Sequence, residues 1–299
     1  MTEPPMPDAQ AQEPGQVAAP PGGRALALAK RGVELALWTR VGLQRRADPV
    51  LERLVPSWQA GAERRPPTTV APTGVLRSRA DWQQAAAEAR RLRLPLHHDR
   101  PKNWDALGAV GAVLSLADDG SRSARVMDAG SARYSSVLPW LRLLGLGSAP
   151  GSLLGINLEF GEPVHRDGVT FRYGDVTATG LPAGQLDAVT CMSVIEHGVP
   201  VEAFFAESAR VLRPGGVLCV STDYDQAPPD TTGLSAYGGP VRIFGPEDLR
   251  AMVATARSVG LELVGDIDAP GALAHPERPV HWDRLGLDYT FVLLTFRRL

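Results

Sequence analysis

A doubly wound α/β fold on a parallel sheet is what this 299-residue sequence predicts, and three observations predict it. Apolar runs of strand length recur along the chain, each run ends in polar or glycine residues, and helix-length stretches separate them. The sharpest run is Arg125 to Pro139, RVMDAGSARYSSVLP, a short apolar strand that ends in an acidic residue and breaks into a small-residue turn. Such a turn lets backbone N–H groups approach a ligand at a helix N-terminus. In sheets of this kind ligands sit beyond the C-terminal strand ends, where Asp128, Asn157, Asp175 and Ser193 all fall.

Taken in order, the chain opens with residues 1–23, a Pro/Gly/Ala/Gln-rich tract that buries too little apolar surface to fold and is expected to be disordered. Residues 24–46 turn helical, with Leu26, Val33, Leu37 and Val41 near one face and six basic residues opposed only by Glu34. This helix suits an anionic membrane surface, or packs on the main domain or on a second copy in a homodimer; packing is the plainer reading. A linker at Arg64 to Pro72 precedes a helix at Asp81 to Leu92, with Asp81 expected as N-cap. His97, His98 and Asp99 have metal-ligand chemistry, but adjacent strand histidines point to opposite faces and no further ligand spacing supports them. They read as a polar loop over the pocket, and no metal is predicted. Asn103 to Leu116 is the helix before the first core strand. The helical extension and linker are therefore assigned to residues 24–104, and the main domain to 105–299. Within that domain GPEDLRAMVATARSVG is a helix with an acidic first turn and a glycine stop, and LELVGDID and DYTFVLLTF are the last strands.

Composition narrows the function. A net charge of −2 provides no basic field for a polynucleotide, so no nucleic-acid partner is expected. The two cysteines, Cys191 and Cys219, fall inside predicted central strands, which suits a reducing cytosol better than a disulfide framework. No apolar run reaches membrane-spanning length, and residues 1–21 lack a signal peptide's apolar core. A soluble, cytoplasmic protein is the expectation.

The blocks DAGSARY, SLLGIN, GDVTATGLP, LDAVTCMSVIEHG and ESARVLRPGGVLCVSTDY resemble the class I S-adenosylmethionine-dependent methyltransferases. The likeness is to the small-molecule, type 11-like branch, with its DxGxGxG, GD…LP, FDxVxxxxxxEH and LxPGGxLxxS patterns, and it runs from about Asp105 to the C-terminus. It implies a Rossmann-like, seven-stranded sheet, mostly parallel with an antiparallel edge strand, and S-adenosyl-L-methionine as cofactor. By that resemblance Asp128 opens the cofactor loop, Gly130 permits close backbone approach, and Ser131 and Ala132 line the turn. Ala132 and Tyr134 stand where glycines are expected, so Tyr134 is read as a ring turned toward cofactor or substrate. Asn157 occupies the position of the family's ribose-binding carboxylate, and Glu159, two residues on, is its natural substitute. Asp175 matches the residue that meets the adenine amino group, Val176 supplies backbone and apolar contact, and Met192 and Ser193 flank the sulfonium.

For proton transfer the candidates are His197, whose ordinary pKa suits a base, and Asp223, at the end of the fifth strand. His197 has the alternative role of ordering its turn, and Glu196 is read as a helix-start or structural partner. Pro214, Gly215 and Gly216 reverse the chain before that strand. The insertion that follows mixes aromatics, acids and Gly/Pro hinges, as substrate lids do. Tyr224, Asp230 and Tyr237 are its acceptor-side candidates, and His281 and Trp282 would close the pocket from the far side. The expected activity is direct in-line methyl transfer to oxygen or nitrogen of a small molecule. The alternative is a catalytically silent scaffold, motivated by the missing glycines and Asn157. A nicotinamide dehydrogenase is disfavoured by the absent GxGxxG spacing.

Overall fold

The computed structural model describes residues 65–132, 134–147, 149–236 and 239–299. The tail expected over 1–23, the basic helix over 24–46 and Tyr237 lie outside the described residues.

The elements run β1 (Gly74–Val75), α1 (Arg79–Arg91), α2 (Lys102–Ala112), β2 (Val126–Ala129), α3 (Val137–Leu143), β3 (Leu153–Asn157), β4 (Val164–Arg166) and β5 (Val169–Tyr173). They continue with β6 (Leu186–Met192), α4 (Val201–Val211), β7 (Leu212–Tyr224), β8 (Ser235–Ala236), β9 (Gly239–Pro240), α5 (Pro246–Ser258), β10 (Leu261–Leu263), β11 (Val280–Trp282) and β12 (Leu287–Arg298). Strands β5, β3, β2, β6 and β7 lie side by side and parallel. Strand β12 runs antiparallel beside β7, and β10 pairs antiparallel with β12. Those seven are the expected sheet. The short strands β1, β4 and β11 add to its margins and were not anticipated, because two or three residues carry no readable period.

Helices α1, α2 and α3 cover one face of the sheet, where Trp104, Trp140 and Phe291 are buried, and α4 and α5 cover the other, around Phe204, Phe205 and Phe296. Each such ring contributes about 1.5–3 kcal/mol by leaving water. Trp140 also keeps its polar atom satisfied, donating from Nε1 to the Pro95 carbonyl at 2.8 Å.

Three sequence expectations change. Helix α1 starts earlier than Asp81: Ser78 is the N-cap, and its backbone N–H is in turn accepted by the Asp81 carboxylate at 2.9 Å. A reciprocal box of this kind satisfies two orphan donors and outcompetes a cap at the third position. The boundary set at 104/105 falls inside α2, and β1 pairs with Val292 and Leu293, so the fold reaches back well before residue 105. The Pro214–Gly216 reversal is absorbed into a long strand: Leu186 pairs with Leu212 but Ala188 with Val217, and Gly215 takes a φ of +78° in the bulge.

Candidate active site

The C-terminal ends of β2, β3, β5, β6 and β7 form one edge, and the polar residues there divide into two groups. The first lies over β2, β3 and β5. Gly130 has a φ of +79°, a conformation that costs other residues strain, and a Cβ there would overlap the Val194 side chain. The backbone N–H groups of Gly130 and Ser131 both donate to the Ile156 carbonyl, at 2.9 and 3.0 Å. Asn157 ties the same turn from beside it, donating to the Ser131 carbonyl at 3.0 Å while its Oδ1 accepts from Glu159 N at 2.9 Å. The amide expected at a ribose therefore holds the turn together. Its side chain spends its hydrogen bonds on backbone, and Glu159 stands exposed next to it.

Asp128 is buried and accepts from Thr190 Oγ1 at 2.7 Å, with burial raising its pKa to about 6 against that hydrogen bond. Asp175 closes a turn by accepting from Thr177 N and Oγ1 at 2.8 and 2.7 Å through one oxygen, Oδ1. Ala132 N donates to Ser135 Oγ at 2.8 Å, while Val176, Met192 and Ser193 are half-buried along the edge. The fit of an adenosyl cofactor rests on two features. The Ser131 hydroxyl is buried beside the Asp128 carboxyl, and Asp175 and Asn157 bracket a half-open rim. With β3 between them, the ends of β2 and β5 stand roughly 10 Å apart, two strand spacings.

The second group lies over β6, β7 and β12, and the sequence reading largely missed it. Lys102 and Asp105, in the first turn of α2, form an ion pair at 3.8 Å, and the Lys102 ammonium also donates to Ser193 Oγ and sits 3.9 Å from the centre of the Phe291 ring. Asp105 accepts from Ser221 Oγ at 2.6 Å and from Ala106 N at 2.9 Å. Glu196 accepts from Thr222 Oγ1 at 3.0 Å through one oxygen, and its other oxygen, Oε1, is buried without a well-directed donor. Asp223 lies within hydrogen-bonding reach of Glu196 and the Tyr289 hydroxyl. Antiparallel register explains the gathering: Asp223 faces Phe291, and the strand period of two brings Ser221 and Tyr289 to the same side.

Burial dominates the electrostatics here. It raises the pKa of Asp105, of Glu196 and, most strongly, of Asp223, where the neighbouring Glu196 charge adds to it. Burial alone would lower Lys102, but the neighbouring carboxyls, Asp105 foremost, outweigh it and keep the ammonium charged. His197 goes the other way, lowered to about 4 by burial and then by Lys102, so it is neutral at physiological pH. Its ring meets Trp282 edge-on at 6.2 Å. Ser193, with a φ of +53°, is a strained junction between the two groups, and backbone of this kind collects at functional sites.

Several expected acceptor-side residues sit elsewhere. Tyr224 follows Asp223 directly on β7, so it points to the opposite face and is buried there, its hydroxyl donating to the Leu273 carbonyl at 3.0 Å. Asp230 is exposed and spends its carboxylate on a local turn with Thr232 N at 2.9 Å. His281 is exposed, bonded to Asp288 at 2.7 Å, while Trp282 does lie beside His197. Tyr134 is 60% exposed and packs against His98 and His97, with ring centres at 5.4 and 5.8 Å. No metal-binding cluster occurs among the described residues. The charged pair in α2 was detectable in principle, since Lys102 and Asp105 are the charged residues of a mostly apolar helix and stand at i,i+3 spacing. A surface cleft of about 450 Å³, lined by Arg79, Trp82, Asp99, Arg100 and His281 among others, adjoins that helix N-terminus through Pro101.

Residues 130–220 match a family model described as a methyltransferase domain. The ubiquinone biosynthesis O-methyltransferase of Rhizobium johnstonii is 35% identical over 91 residues, 26% of this chain and 37% of that protein. The enzyme of the same name from Cupriavidus pinatubonensis is 40% identical over 58 residues, 18% of this chain and 23% of that protein. The matched stretches thus span well under half of these relatives. Among solved structures, the geranyl diphosphate C-methyltransferase of Streptomyces coelicolor aligns at 16% identity and a TM-score of 0.45, over 83% of this chain and 98% of its own. With the mixed, mostly parallel sheet and the motif order along its strands, the matched stretch carries a methyltransferase domain of the class I, S-adenosylmethionine-dependent type.

Proposed function

We propose that the chain methylates a small-molecule acceptor, at oxygen or nitrogen, by direct in-line displacement. The observation that carries this reading is the juxtaposition, along one sheet edge, of a glycine turn at Gly130 and a buried carboxyl pair, Glu196 and Asp223, with Val194 packed on the turn and Ser193 on Glu196. The cofactor supplies an already activated methyl group, so the protein's tasks are alignment, exclusion of water and handling of one proton.

On this reading Gly130, Ser131 and Ala132 hold the amino-acid end, Glu159 the ribose beside the turn that Asn157 ties, and Asp175 and Val176 the adenine. Met192 and Ser193 flank the reacting centre. Of the two candidate bases, Asp223 is favoured over His197, because an imidazole whose pKa has fallen to about 4 is a weak proton acceptor. On this reading the acceptor approaches from the side of the cleft that Pro101 lines, one residue before Lys102.

The silent-scaffold reading has one observation in its favour: the N–H groups of Gly130 and Ser131 and the Asn157 amide are already engaged within the fold. Calorimetry with S-adenosylmethionine separates the two. Micromolar binding, followed by transfer of a labelled methyl group into a product from a metabolite extract, is the expected result. No heat at high ligand concentration would leave the scaffold.

A further inference from the structure

Resting on that reading, we propose that Glu196 and Asp223 act as one proton store matched to the cofactor's charge. The pair gives up one proton when a sulfonium enters beside Ser193, and recovers one from the acceptor when the methyl group leaves.

The charges buried in this dry site do not balance if every group ionises. Three carboxyl groups, Asp105, Glu196 and Asp223, are each at most 3% exposed, and among the described residues a single ammonium, Lys102, faces them. Full ionisation would bury two uncompensated negative charges, which a low-dielectric interior does not tolerate. Asp105 is equipped to be the ion, with Lys102, Ser221 Oγ and Ala106 N all on it. Glu196 and Asp223 are not so equipped. Among the described residues no cation pairs directly with either carboxyl, Glu196 Oε1 lacks a well-directed donor, and the two carboxyls lie within reach of each other, an arrangement that protons on the pair satisfy.

The neutral count for the site without cofactor is therefore Lys102 charged, Asp105 charged, and both members of the pair protonated. Adding a cation at Ser193, which already touches Lys102, makes the neutral count one proton lower. The pair, now holding one proton, contains the carboxylate that serves as base. In the transfer the acceptor heteroatom bonds the methyl carbon, the carbon–sulfur bond breaks with its electrons staying on sulfur, and the heteroatom's proton moves to the pair. A positive charge disappears from sulfur as a negative charge disappears from the carboxylate. The chemical step thus leaves the site's net charge unchanged.

Other groups face the pair and must be accounted for. Lys102 and Asp105 come from α2, Asp99 from the loop before it, Tyr289 from β12, and Cys191 and His197 from β6 and its turn. Burial keeps Tyr289 and Cys191 protonated and His197 neutral near pH 7, while Lys102 stays charged. Asp128, raised to about 6, is the one competitor, and it lies on β2.

The test compares S-adenosylmethionine with S-adenosylhomocysteine, which differ in the charged methyl group, by titration calorimetry near pH 7 in phosphate and in Tris. The buffer dependence of the heat counts protons. The sulfonium ligand should release about one proton more than the thioether, and its affinity advantage should grow by up to about tenfold per pH unit. Asp223→Asn and Glu196→Gln should each remove the difference. The wild-type comparison stands alone if those variants do not fold. Equal proton release for the two ligands overturns the proposal, as does a difference that survives in both carboxyl variants. Binding of neither ligand would instead overturn the methyltransferase reading beneath it.

Discussion

The two halves of the sheet edge handle polar groups in opposite ways. Over β2, β3 and β5, polar groups close on one another: the turn's N–H groups on Ile156, Asn157 on the turn, Asp175 on Thr177. Over β6, β7 and β12, an ammonium and three carboxyls are buried, and among the described residues no cation pairs directly with Glu196 or Asp223. The difference teaches that the first half is shaped by hydrogen bonds before any ligand arrives, whereas the second is left electrostatically incomplete. Shape can be preorganised cheaply in backbone, but proton chemistry requires a charge that can change.

The largest expected effect breaks the second half. Removing one partner of a buried charge cluster leaves the others uncompensated, so Lys102→Met should lower the unfolding free energy by about 3 kcal/mol near pH 8. Without the ammonium the carboxyl pKa values rise further, so the folded variant binds more protons than its unfolded chain, and its stability must fall as pH rises. Urea unfolding at pH 5 and pH 8 checks this. An equal loss at both values would mean that Lys102 contributes packing against Phe291 rather than charge.

Next comes the backbone of the first half. Gly130→Ala forces a positive φ on alanine and drives its Cβ into Val194, together costing about 2 kcal/mol. The double variant Gly130→Ala/Val194→Ala separates the two causes. Partial recovery of the urea midpoint assigns the balance to overlap, and none assigns it all to backbone strain.

A smaller effect distinguishes two neighbours at the rim. Asn157→Ala removes the tie to the Ser131 carbonyl and should cost about 1 kcal/mol of stability. Glu159→Gln touches only an exposed carboxylate and should change stability by less than about 0.5 kcal/mol while weakening cofactor binding by calorimetry. The reverse pattern would return Asn157 to the ribose.

How these residues read in the sequence follows the same division. The strand alternation, the glycine turn and the C-terminal placement of Asp128, Asn157 and Asp175 are local patterns, set by side-chain period and turn chemistry, and they were legible. The second half was legible only at Asp223. Lys102 and Ser221 are 119 residues apart in the chain by their numbers, yet both bear on Asp105, and no local pattern announces that contact. Glu196, read as a structural partner, gains its chemistry from burial next to Asp223, which a strand end does not reveal. Tyr224 was misplaced for a simpler reason: adjacent strand residues cannot share a face, and Asp223 had already taken the inner one.

The smallest expected effect is a slope, and it sets the halves against each other. On the acid side, His197 has its pKa lowered from 6.5 to about 4, so the folded state binds fewer protons than the unfolded one in that interval. Stability from this residue is lost as pH falls through the window. On the rim side, Asp128 has its pKa raised from 3.8 to about 6, so the folded state binds more protons, and its contribution is lost as pH rises through about 6. Between about pH 4 and pH 6 the two oppose and partly cancel. His197→Asn should therefore make stability fall more steeply with rising pH in that interval, and Asp128→Asn should make it rise more steeply, since Asn keeps an acceptor for Thr190 Oγ1. Urea midpoints measured across the interval decide it. Slopes that shift in the same direction in both variants would mean that the two halves are coupled through Cys191 and Lys102 rather than titrating as separate regions.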